Sequence, residues 1–199
     1  MQNPFITERA LGMADLVDRQ VEVEQVRQSI RNGGKLFVIG PRRFGKTSIL
    51  RAAAGDLRSH GVKTLMLDVQ GYTSIEELVR GIVAGAATMQ SNLTAGIAVV
   101  KKFFGVFNPS VTVGADGGLT ASLGLKTPDS KELQAPLLID ALNQLEKFAA
   151  ESAQKTSDGN SEPEGRVGLI LDEFQHLLKL GGEGLEGQLR AAVQNHKYL

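Results

Sequence analysis

Residues 37–51 read "FVIGPRRFGKTSILR", a short apolar run that breaks into a glycine-framed loop and then into a helix-forming segment. The pattern is Gly40-x-x-x-x-Gly45-Lys46-Thr47. Glycines at these two places let the backbone turn so that successive N–H groups face one anion, and a helix that begins near Lys46 adds its positive end. Lys46 is a mobile point charge able to reach the β- and γ-oxygens of a nucleotide, and the Thr47 hydroxyl is a hard oxygen ligand for Mg²⁺. This is the form of a Walker A phosphate loop, which is meaningful only between a buried strand and a helix. The competing reading is a chance glycine turn ahead of a helix. The residues expected to hold phosphate are Gly40, Pro41, Arg42, Arg43, Phe44 and Gly45, followed by Lys46, Thr47 and Ser48.

Outward from the loop the required context is present. "KLFVIG" (35–40) is rich in strand formers, and "KTSILRAAAGDLRSH" reads as helix up to Gly61. Upstream, "DRQVEVEQVRQSIR" (18–31) spaces Val21, Val23, Val26 and Ile30 as one apolar helix face, ended by Asn32-Gly33-Gly34. Downstream, "VKTLMLDV" (62–69) predicts a second buried strand, after which Thr73 or Ser74 opens a helix with Glu76 or Glu77 placed for a capping box. Strand and helix in alternation predict an α/β fold with a parallel sheet. "SVTVGADGGLTASLGL" (110–125) breaks that rhythm, since two short runs flank a turn-forming "GADGG", and predicts an inserted hairpin. Residues 131–154 predict one long helix with a broad apolar face, and the polar "KTSDGNSEPEG" (155–165) predicts an exposed flexible loop.

A third strand is predicted at 166–175, "RVGLILDEFQ". An apolar strand that ends in Asp172-Glu173 has the Walker B form, in which Asp172 would help hold Mg²⁺ and Glu173 would act as the base that polarises an attacking water. Two acids at a strand end are common by themselves; paired with the glycine loop they acquire a use. After them, "EFQHLLKL" and "EGLEGQLRAAVQNH" predict helix, loop, helix.

Together, "NPF" near the start, "VDRQVEVEQV", "GPRRFGKTSIL" and "LILDEFQHL" resemble the archaeal-type ATPase family of P-loop proteins, close to the AAA+ and signal-transduction (STAND) ATPases. The resemblance implies a P-loop NTPase parallel sheet of the additional-strand kind, with helices on both faces, the inserted β-hairpin, and a strand from later in the sequence between the Walker A and Walker B strands. It implies that 1–199 is the N-terminal part of one ATPase domain, with an insertion over about 90–165, and that the core is incomplete at Leu199. It implies ATP and Mg²⁺ as cofactors, with Lys46 and Glu173 catalytic and Thr47 and Asp172 on the metal. The function it implies is ATP hydrolysis that drives a conformational switch; the alternatives are a binding-only switch or signalling scaffold, and a DNA-associated AAA+-like ATPase. By the same resemblance the start of the 18–22 helix lies near the adenine, although a plain amphipathic helix start reads equally well. Arg42 and Arg43 fit phosphate, a partner or solvent; Gln175 fits water orientation or a solvated helix face; Arg190 is the candidate arginine finger.

Lys and Arg balance Asp and Glu at 22 each, so bulk charge points to neither nucleic acid nor an anionic membrane. The bias within residues 1–60, ten basic against six acidic, sits where a phosphate site wants it. Nucleic acid would enter only through a further C-terminal domain, while a protein partner or oligomer is compatible with the sequence. The absence of cysteine removes disulfides, thiolate metal sites and thiol nucleophiles. His60, His176 and His196 show no paired ligand spacing. No Asn-Lys-x-Asp guanine motif is present, and no Ser-Gly-Gly signature of a transporter ATPase lies between the two motifs. The start has no signal-like apolar run, and the apolar region 81–107 is interrupted by Gln90, Ser91, Asn92 and Thr94 and by Lys101-Lys102. A cytoplasmic protein without membrane contact is expected.

Overall fold

The computed structural model describes residues 18–41, 43–90, 93–103, 108–113, 119–124, 134–155, 166–182 and 184–199. The first helix, α1 (Gln20–Arg31), buries Val23 and Val26. It ends where Gly33 turns into the left-handed region and Gly34 N–H donates to Ser29 O at 2.7 Å. The second, α2 (Lys46–Ser59), lays Ile49, Ala52 and Ala53 on that valine pair; the alanines let the two helices approach closely. Three residues later the chain enters β1 (Lys63–Asp68). A single 3-10 turn at Val69–Gly71 leads to α3 (Ile75–Thr88). Ser74 caps α3 by accepting from Glu77 N–H at 3.2 Å, and the Glu77 carboxylate reaches back to Thr73 N–H and Oγ1, which settles the choice between the candidate caps. Those bonds hold the Glu77 carboxyl below the usual carboxylate range, the Thr73 hydroxyl contributing most.

The apolar region 81–107 divides between α3 and α4 (Leu93–Phe103), and among the described residues no helix is long and apolar enough to cross a membrane. The antiparallel hairpin β2 (Asn108–Val113) and β3 (Leu119–Gly124) falls where the turn composition predicts it, in a register that pairs Val113 with Leu119. Helix α5 (Gln134–Lys155) buries Leu138, Leu142, Leu145 and Phe148 against α3 and α4, each such side chain contributing ~1.5–3 kcal/mol of transfer free energy. The loop expected at 155–165 lies outside the described residues except for Lys155, the last residue of α5. After it come β4 (Val167–Asp172), α6 (His176–Gly181) and α7 (Leu185–Gln194), the last packed on α5.

The parallel sheet has two strands among the described residues, β1 beside β4, with Thr64 opposite Gly168, Leu65 opposite Leu169 and Asp68 opposite Asp172. Side chains alternate along a strand, so these pairs divide between two faces. On one, a Cβ at Gly168 would stand 2.8 Å from Ile30 of α1, and Thr64 Oγ1 donates to Ala54 O of α2. On the other, a Cβ at Gly85 of α3 would stand 2.3 Å from Leu65. Helices therefore cover both faces.

One expectation needs correction. Residues 35–40 form no strand and pair with none among the described residues, and Leu36, Phe37 and Ile39 are 49%, 64% and 93% exposed. In β4, by contrast, Val167 is 1% and Ile170 6% exposed. The physical reason is the ladder: a strand exists through inter-strand N–H···O=C bonds, and the edge of β4 that faces away from β1 carries no neighbouring strand among the described residues. Among the described residues its first position is engaged there, Val167 N–H donating to Tyr198 O at 2.9 Å.

Candidate active site at the carboxyl end of the sheet

The tight connection His60–Val62 makes α2 run antiparallel to β1. Fourteen helical residues span ~21 Å and six strand residues ~20 Å, so the start of α2 lies level with the end of β1, and hence with Asp68 and Asp172. By the pleat, both aspartates belong to the face that carries Thr64 and Gly168, the one covered by α1 and α2. The start of α2 and the acidic pair thus lie toward the same end of the sheet, on the face that α1 and α2 cover.

Arg43 (φ 64°) and Gly45 (φ 77°) are left-handed, and Gly45 is the residue from which α2 starts, its carbonyl accepting from Ile49 N–H at 3.0 Å. Only glycine adopts that angle without strain. Lys46 folds back over the loop, Nζ donating to Gly40 O at 2.9 Å and Pro41 O at 2.8 Å. Those carbonyls hold the ammonium at the turn ahead of α2. Thr47 is half-buried and Ser48 buried at the helix start; Arg42 lies outside the described residues. The start of α1 touches the loop: the Arg19 guanidinium lies 5.4 Å over the Phe44 ring, and its Nη1 donates to Glu22 at 2.7 Å. That bond holds the Glu22 carboxyl below the usual carboxylate range.

At the end of β4, Asp172 is buried and its Oδ1 accepts from Glu173 N–H at 3.0 Å. Glu173 is left-handed, with φ 51°, and its carboxylate accepts from Gln175 Nε2. A non-glycine residue in that region is strained, and such positions concentrate at functional sites. Phe174 ties the two halves of the site together, its ring meeting Phe37 edge to face with centroids 6.1 Å apart. Arg190, the candidate finger, pairs with Glu186 at 3.0 Å on the exposed side of α7.

Two features escape the motif search. Asp68 stands directly opposite Asp172; "LMLD" and "LILD" are near copies, which marks the two acids as strand ends but not as register partners. The Arg19–Phe44 contact has no such signal, because it joins two segments whose approach depends on how α1 packs on α2.

Hard oxygen donors suit Mg²⁺, which takes one or two protein ligands and leaves the rest to phosphate and water. Thr47 and Asp172 are that kind of set, and among the described residues no cluster of three or more His, Cys, Asp or Glu side chains is arranged to hold a metal by itself. Comparison with family models, with curated proteins and with solved structures finds no match for this chain.

Proposed function

We propose that the chain binds ATP with Mg²⁺ at the Gly40–Ser48 loop and hydrolyses it to switch conformation. The observation that carries this reading is the loop itself: a left-handed Gly45 opening α2, with the Lys46 ammonium parked on the carbonyls of Gly40 and Pro41. A polyphosphate would take over the ammonium from those two carbonyls and meet the positive end of α2. Thr47 and Asp172 would hold Mg²⁺, which when bound offsets charge on the phosphate oxygens.

Glu173 is the proton acceptor for the attacking water in this reading. Its left-handed backbone turns it out of the line of β4, and Gln175 orients its carboxylate. Arg19 and Phe44 form one wall beside the loop, flat and cationic, suited to a purine base. In the same reading, the open edge of β4 and the exposed run 35–40 flank the place of the additional strand, which would pair both.

The deciding experiment is titration of a fluorescent ATP analogue against the parent and Lys46→Ala. Loss of the ammonium should weaken binding at least about tenfold, or ~1.4 kcal/mol, a modest demand for a charge-assisted contact. Equal affinity in the two proteins would remove the phosphate-loop assignment.

A further inference from the structure

The stretch after α7 is seated by contacts from three other parts of the chain. His196 is buried, with Nε2 2.9 Å from Asn143 Oδ1 of α5, the arrangement of a ring N–H donating to an amide oxygen. Its other nitrogen, Nδ1, is buried with no hydrogen-bond partner among the described residues. Glu146, one turn along α5, accepts from Lys197 N–H at 2.8 Å and from Tyr198 N–H at 3.0 Å. Tyr198 O accepts from Val167 N–H, the first position on the open edge of β4. Lys35, the residue that begins the run into the phosphate loop, donates through Nζ to His196 O at 3.2 Å and Leu199 O at 2.6 Å. The base of the loop segment is thus tied to this arm.

We infer that residues 195–199 form a pH-sensitive latch: neutral His196 seats the arm against α5, β4 and Lys35, and protonation of its ring in mildly acidic solution unseats the arm and frees the base of the phosphate-loop segment. A second proton must go to Nδ1, which is buried without an acceptor among the described residues. The charged groups that face the ring divide. Burial dominates and holds the His196 imidazole below the usual histidine value; the Glu146 carboxylate from α5 works against this, and the Lys35 ammonium works with it. Arg166, ahead of β4, donates to Arg31 O and repels the Lys35 ammonium; burial chiefly, and Arg166 after it, hold the Lys35 amine below its ordinary range, with Glu146 opposing.

The sign follows from proton linkage. An imidazole that is harder to protonate when seated contributes its full share above the free value of about 6.5 and loses it as pH falls below that value. One pH unit below, the loss reaches up to about tenfold in the closed-to-open ratio. The consequence for nucleotide rests on the phosphate-loop reading proposed above; the latch itself does not.

The test is amide exchange at Val167, Lys197 and Tyr198 in the full chain, expressed as protection relative to the unfolded peptide at about pH 7.5 and 5.5. Protection should fall about five- to tenfold in the parent and stay level in His196→Gln, whose amide can still donate to Asn143 and does not titrate. If His196→Gln fails to fold, proton titration of the His196 ring in the parent decides, with a midpoint below about 6.5 expected. Undiminished protection in the parent, an equal fall in the glutamine variant, or an ordinary midpoint overturns the latch. A fluorescent ATP analogue, measured on both proteins at both pH values, separates the two ideas. No binding at the higher pH removes the phosphate-loop reading and leaves the exchange result standing. An equal pH dependence in parent and variant removes the link between latch and loop.

Discussion

Two short apolar runs lead to the two sides of the candidate site, and they differ in what surrounds them. Val167–Asp172 is paired with β1 along its length, is covered by α1 and α2 on one face, and delivers Asp172 and Glu173 from a fixed backbone. Residues 35–40 are comparable in length and apolarity, yet they lean on the protein at points: Lys35 at the base, Phe37 against Phe174, Val38 half-buried on the α1–α2 cluster, and the Lys46 ammonium on Gly40 O and Pro41 O at the top. The acidic side of the candidate site sits in a paired strand, and the glycine-loop side is held at a few places. A site built this way can register a ligand through the loosely held side, because binding there has an ordering step to couple to.

The largest effect should come from the paired-strand side. If Glu173 is held as a base, Glu173→Gln should keep nucleotide affinity and lower turnover by ~10² to 10⁴, since an amide can hold a water but cannot take its proton. Phosphate release under single-turnover conditions measures it. Turnover at the parental rate would place the base elsewhere and favour a switch that only binds.

A stability comparison probes the same contrast without nucleotide. Ile170→Ala removes a buried side chain from the middle of the paired strand and should cost ~2–5 kcal/mol in urea unfolding. A loss below about 1 kcal/mol would mean that the β1–β4 ladder is not the organising element of this end of the fold.

The contrast also explains what was legible in the sequence. Helices were, because the apolar period of α1, the small residues of α2 and the Ser74–Glu77 cap are local facts that survive folding. The β2–β3 hairpin was, because its turn chemistry lies between its own strands. "KLFVIG" and "VGLILD" carry the same kind of local signal, and only one becomes a strand, because the deciding fact is whether a neighbour is there to complete the ladder. Among candidate site residues, the backbone at Gly45 follows from its type. The opposition of Asp68 and Asp172 depends on a register between strands nearly a hundred positions apart, which neither strand encodes alone. His196, which the sequence marks only by its lack of paired ligand spacing, is buried against Asn143, a contact between chain segments that no local pattern announces.

The smallest expected effect is the sharpest probe of the loosely held run. Ile39 is 93% exposed, so Ile39→Ser removes almost no buried area and should change unfolding free energy by less than about 0.5 kcal/mol. An exposed isoleucine in an unpaired apolar run invites pairing with other molecules, so the serine variant should instead show less self-association on dilution-dependent light scattering. Amide exchange completes the test. The N–H groups of residues 36–39 should exchange at rates close to those of an unstructured peptide, while Leu65 and Leu67 of β1, inside the ladder and the core, should be protected to the level of global unfolding. If Ile39→Ser costs more than about 1 kcal/mol, or if residues 36–39 are as protected as β1, then the run is covered in solution and its partner is a strand. The difference between the two sides of the site would then be one of which strands are in place, and the glycine loop would be as firmly held as the end of β4.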